Sequence, residues 1–134
     1  MRRLILQDIE ELINSKIINP VYKYFHKRYV EYDGMACHLI DTGIGNIVER
    51  EIDGKIEAYY DQYLQIILSG RNVQKLEDDA ETLVFKIKTL NNEAVGDTVF
   101  KAGALVSGPA TIQVDNTGRF VTSINFKLSV FRQL

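Results

Sequence analysis

Residues 39–46 read Leu-Ile-Asp-Thr-Gly-Ile-Gly-Asn, which sets an aspartate on a glycine turn at the end of an apolar run. A carboxylate so placed does chemistry in pairs: two of them, met across a dimer, share one proton and activate a water. Cys37 and His38 are adjacent, and a thiolate–imidazole pair is a nucleophile. On a strand, however, neighbouring side chains point to opposite faces and cannot meet, so Cys37 is expected to be a buried small hydrophobe. His26 and His38, with the acids near them, lack the spacing of a metal site. No glycine-rich loop carries Lys-Ser or Lys-Thr for a phosphate. The run Tyr22–Tyr29 interleaves aromatics with Lys23, Lys27 and Arg28, as platforms that stack single-stranded nucleic acid do. The same pattern describes a strand with one packed and one solvated face, and the basic residues do not continue into the neighbouring segments. No residue is therefore assigned a catalytic, cofactor-binding or metal-binding role.

The Asp41 loop resembles the active-site loop of retroviral-type aspartic peptidases, and "IILSGRN" at 66–72 echoes their second signature. Ile44 stands where that family normally has alanine. The second signature follows too soon to leave room for a flap, and a helical stretch and a further hairpin come after it. A peptidase built on Asp41 is thus an alternative reading, and a small nucleic-acid-binding module using Tyr22–Tyr29 is a second.

The elements that must carry any site are legible from periodicity. The chain has 134 residues, 46% of them hydrophobic and 25% charged, which suits a single domain over 1–134. A net charge of -2 argues against sequence-independent nucleic-acid binding, which needs a positive surface. No apolar run approaches the roughly 20 residues of a membrane span, and acids interrupt the N-terminal apolar stretch, so neither a membrane segment nor a secretory signal is expected. One cysteine excludes an internal disulfide.

Leu4 to about Lys16 reads as an amphipathic helix, with Ile5, Ile9, Leu12 and Ile13 on one side and Asp8, Glu10 and Glu11 on the other, stopped by Asn19-Pro20. Two strands are expected next, around 21–34 and 35–43, the second ended by Gly43 and Gly45. Then a long hairpin turns at Asp53-Gly54. In its returning strand Ile56, Ala58, Tyr60, Leu64, Ile66 and Leu68 share one face, while Glu57, Tyr59, Asp61, Tyr63 and Gln65 share the other. Val73, Leu76, Ala80, Leu83, Val84, Ile87 and Leu90 form a helical stripe, N-capped by Asn72. A short strand around Thr98–Val106 and a closing hairpin complete the chain. The expected fold is α+β: an antiparallel sheet with an N-terminal helix and a second long helix on one face, a long projecting hairpin, and the opposite sheet face uncovered.

Gly108-Pro109, a short apolar strand, Asp115, a turn, Gly118-Arg119 and the alternation running into "INFKL" at 124–128 resemble the C-terminal hairpin of the tail terminator proteins of long-tailed bacteriophages, also known as minor capsid, minor tail or tail-to-head joining proteins. The order of elements is similar over nearly the whole chain. The resemblance implies a non-enzymatic virion assembly protein without a cofactor. It would close as a hexameric ring of its own copies on the tail tube protein and present a surface to the head completion or connector protein. Its place would be the tail–head junction of the virion, and the host cytoplasm during assembly. The residues expected at a ring or tube interface are Arg50, Glu51, Tyr59, Asp61 and Tyr63 in the hairpin and Arg71 at the sheet-to-helix junction. Asp115, Gly118 and Arg119 are expected to hold the last turn, with Arg119 pairing Asp115.

Overall fold

The computed structural model describes residues 4–18, 22–27, 32–114, 116 and 118–133. Helix α1 spans Ile5–Leu12 and runs into one π-helical turn, Ile13–Ile17. Ile9, Leu12 and Ile13 are buried as the periodicity requires. Asp8 departs from expectation. It is fully buried, not solvated with Glu10 and Glu11. Its Oδ2 accepts from Thr98 Oγ1 at 2.7 Å and from the Asp97 backbone N–H at 3.1 Å, and Arg132 Nη2 lies 3.8 Å away. A buried carboxylate is tolerated only with such donors, and they come from segments about ninety positions distant, which no local pattern reveals. The Asn19-Pro20 stop lies outside the described residues.

Six strands form one sheet in the order β1-β2-β3-β6-β5-β4. They are β1 Lys23–Phe25, β2 Ala36–Ile52, β3 Lys55–Gly70, β4 Glu93–Val95, β5 Thr98–Gln113 and β6 Phe120–Gln133. The sheet is mixed, not purely antiparallel, because β1 runs parallel to β2. The strand expected over 21–34 is described only as the three residues of β1, and 28–31 lie outside the described residues. β2 is one strand where two elements were expected. Gly43 (φ 124°) and Asn46 (φ 51°) do not end it. They sit at register shifts between Asp41 and Gly43 and between Gly45 and Val48, and such bulges bend a strand without stopping it. Asp53 (φ 53°) and Gly54 (φ 76°) are both left-handed, the signature of a type I′ hairpin turn. β5 is far longer than the short strand expected. It carries Gly108-Pro109 in its interior, at a register shift between Ser107 and Ala110, and on a strand with one unpaired side the missing proline N–H is tolerated.

Helix α2, Val73–Lys88, packs on β5, β6 and β3. The Asn72 side chain accepts from the Lys75 N–H at 3.2 Å, and Lys86 and Lys88 occupy the last turn, where they oppose the helix dipole. Leu76, Ala80, Leu83 and Ile87 meet Leu64, Ile66, Phe100, Ile124, Phe126 and Leu128 in one core that α1 joins through Ile9, Leu12 and Ile13. Each such buried aliphatic or aromatic side chain contributes about 1.5–3 kcal/mol. The C-terminal end of α2 comes so close to β5 that a Cβ on Gly103 would lie 2.5 Å from the Ile87 carbonyl oxygen.

Candidate assembly surface

Residues paired across a sheet share a face, so register decides which side chains the outer face collects. Along β3, Ala58, Gln62, Leu64 and Ile66 are buried, and Tyr59, Asp61, Tyr63 and Gln65 between them are half-buried, which is the alternation read from the sequence. Their partners on β6 are Phe131, Ser129, Lys127 and Asn125. On β2, Val48, Gly45 and Gly43 stand opposite Tyr59, Asp61 and Tyr63.

The result is an ordered network. The Tyr59 ring lies 4.8 Å from that of Phe131. Arg50 Cζ and Lys101 Nζ sit 5.5 and 5.3 Å from the Tyr59 ring centroid, within cation–π range. Arg50 Nε also donates to Glu57 at 3.0 Å and Nη2 to the Tyr59 hydroxyl at 3.3 Å. The Glu57 bond, with help from Tyr59, holds the guanidinium pKa above its ordinary value. Asp61 accepts from Asn46 Nδ2 at 2.7 Å and from the Ser129 hydroxyl at 3.0 Å. The Tyr63 ring covers the bare backbone at Gly45, where an added Cβ would meet it at 3.5 Å.

Of the six residues expected at an interface, the fold brings four together: Arg50, Tyr59, Asp61 and Tyr63. Glu51 is paired with Ile56 and so faces the other side of the hairpin, a consequence of period-two alternation that separates it from Arg50. Arg71 lies at the far end of β3 and pairs Asp33 at 3.0 Å, both side chains exposed. Asn46, Lys101, Ser129 and Phe131 join the cluster from β2, β5 and β6 and were missed, because only register places them there. Asp115, and with it the expected Arg119 pairing, lies outside the described residues. Gly118 takes the positive φ the turn needs, 81°. Arg119 is buried, its Nη2 reaching Ser69 Oγ at 3.4 Å, so it ties the turn to β3.

The outer face is not bare throughout, as the sequence had suggested. At the end away from the hairpin the chain roofs itself. Phe25 stacks on His38 with centroids 5.0 Å apart, and Tyr32 meets Phe25 edge-on at 5.7 Å. His38 and Ser69 beneath are fully buried. Cys37 points the other way into the core, and burial, with a smaller contribution from Glu10, pushes its thiol pKa well above the usual range. Tyr22 is buried, with its hydroxyl on the Asp79 carboxylate, so it is not a stacking platform. Asp41 Oδ1 accepts from the Gly43 N–H and from Gln62 Nε2, each at 2.8 Å, which fastens the bulge. Among the described residues no group of His, Cys, Asp and Glu could hold a metal ion, and no helix is long and apolar enough to cross a membrane.

The family described as bacteriophage tail terminator protein matches residues 43–131, about two thirds of the chain, from the bulge of β2 through β3, α2, β4 and β5 into β6. Among curated proteins no match to the chain is found. The matched span contains every member of the outer-face network and the whole of the long hairpin beyond Gly43, and the chain belongs to the bacteriophage tail terminator protein family.

Proposed function

We propose that this tail structural protein caps the phage tail tube as a hexameric ring and joins the tail to the head connector. Membership of the family carries its location in the virion and its structural role. The ring, the tail tube and head completion partners, the tail–head junction and assembly in the host cytoplasm belong to the proposal. So does a single domain over 1–134 with the Asp53-Gly54 tip reaching past the rest of the sheet.

The observation that carries it is the open half of the outer face, where Arg50, Tyr59, Asp61 and Tyr63 are held in fixed positions by one another and by their neighbours on three other strands. Interfaces favour anchors of this kind, tyrosine and arginine already ordered before binding. Glu51, on the reverse of the hairpin, and Arg71, at the other end, would meet different partners. Gly118 and Arg119 shape the last turn and take no part in docking. Nothing in the geometry favours an Asp41 peptidase, since that carboxylate is engaged within its own strand pair.

The test is the protein mixed with purified tail tubes and viewed by electron microscopy, with mass measured in parallel. Six-fold rings at tube ends are expected. Tubes left bare at saturating protein, or casein cleavage abolished by Asp41→Asn, would overturn the reading.

A further inference from the structure

The four long strands leave two free edges. β1 covers β2 only at Ala36–His38, so among the described residues 39–52 pair with nothing on that side. β4 covers β5 at Thr98–Phe100, and the Asn92 N–H just before it donates to the Lys101 carbonyl at 3.3 Å, so among the described residues 102–113 pair with nothing on that side. The two bare stretches are fourteen and twelve residues long, a close match. Six of the eleven large apolar side chains exposed among the described residues lie on them: Ile44, Ile47, Val48 and Ile52 on one, Val106 and Ile112 on the other. Proteins that stay monomeric guard long edges with lysines or inward charges. The β5 edge has none after Lys101, and only its bulges and Pro109 blunt it.

The charges are complementary. The β2 edge carries Asp41, Glu49 and Glu51 against Arg50, while the β5 edge carries Lys101 and no acid. Directions also agree. β2, β3, β6 and β5 alternate in direction, so a second copy set beside the first in the same orientation brings its β5 antiparallel to β2. β1 and β4 block opposite ends of the sheet and so limit how far the copies slide.

We infer that the bare β2 edge of one copy pairs with the bare β5 edge of the next, joining their sheets into one. The inference rests on the ring reading above and names its seam. Because the two edges differ, the contact is head-to-tail. Such contacts build rings where the rotation between copies closes and open filaments where it does not, and not two-fold dimers; the ring reading takes the first case.

The experiment uses the full chain and light scattering after size exclusion, up to millimolar concentration. Wild type is expected to exceed a monomer. Ile47→Asp with Val48→Asp spoils the β2 edge, and Val106→Asp with Ile112→Asp sets acids against acids on the β5 edge, so the two spoiled edges also repel each other. Each is expected to be monomeric, with at least tenfold weaker association. All four positions are exposed, so circular dichroism is expected to match wild type. An equal mixture is expected to form one-to-one dimers and nothing larger, since one intact edge of each kind remains; that dimer also shows both variants folded. Val106→Lys with Ile112→Lys, facing the acidic edge, retains assembly. Assembly that survives both edge variants overturns the seam, as does a mixture that stays monomeric. A wild type monomeric at millimolar concentration that still caps tubes overturns the seam alone and leaves tube capping standing.

Discussion

Replacing Gly103 by alanine tests the close approach of α2 to β5. The added Cβ would stand 2.5 Å from the Ile87 carbonyl oxygen and 2.6 Å from Ile87 Cγ2, where ordinary contact begins near 3.4 Å. The end of α2 must therefore retreat by about 0.9 Å. Retreat is resisted because Ile87 is fully buried and its oxygen already accepts from the Leu90 N–H at 3.2 Å. Overpacking of this kind costs about 1–3 kcal/mol, offset by up to about 1 kcal/mol from the stiffer unfolded chain. A net loss of about 1–2 kcal/mol lowers the melting temperature of a domain this size by roughly 3–10 °C. Urea unfolding is the assay, with the midpoint expected to fall and the slope unchanged. Gly45→Ala is the control. Its Cβ would meet only Tyr63, at 3.5 Å, so it is expected to be neutral or slightly stabilising. A Gly103→Ala midpoint equal to wild type, or an equal loss in Gly45→Ala, would refute the reasoning.

Three further outcomes are expected. Asp8→Ala strips the acceptor from Thr98 and Asp97 and leaves Arg132 beside a void, a loss of about 3–5 kcal/mol by urea midpoint; Asp8→Asn, which keeps an oxygen, costs less. Stability falls in alkali, because the unfolded chain ionises Cys37 near its ordinary pKa of 9.0 while the buried native thiol holds its proton. Burial, Asp79 and Cys37 likewise raise the Tyr22 hydroxyl. The unfolded state then binds fewer protons, so the stability is complete below about pH 9 and is lost as pH rises; Cys37→Ala flattens that leg of the midpoint-versus-pH curve. Tyr59→Ala removes the centre of the outer network and reduces ring-capped tubes at least tenfold in a micrograph count, whereas Glu57→Gln, at the rim, changes it less than threefold.

Where one element's own residues decide the outcome, the sequence was a sufficient guide. The α2 stripe and its Asn72 cap, the Asp53-Gly54 turn, and the alternation of β3 and β6 are local facts, and each is found where periodicity puts it. Glycine misled at Gly43 and Gly45, because a bulge and a strand end use the same residues and only pairing with β3 distinguishes them. The burial of Asp8 rests on Asp97 and Thr98 at the start of β5 and on Arg132 of β6, and the parallel direction of β1 has no signature in its three residues. The same limit applied to the outer face. Its β3 members were legible from alternation, but Asn46, Lys101, Ser129 and Phe131 are neighbours only through the register of four strands.

The sheet order has a consequence for how the chain is made. β6 is the last of the six strands to leave the ribosome, yet it lies between β3 and β5. Until residues 120–133 emerge, two strands of sixteen residues each wait without the partner that links them. The β3–β6 ladder can form only then, between positions 50 to 76 apart in the chain, which makes for slow acquisition of structure. Newly synthesised chains are therefore most prone to stick to one another before residues 120–133 have emerged, and it is at that moment that a chaperone would matter.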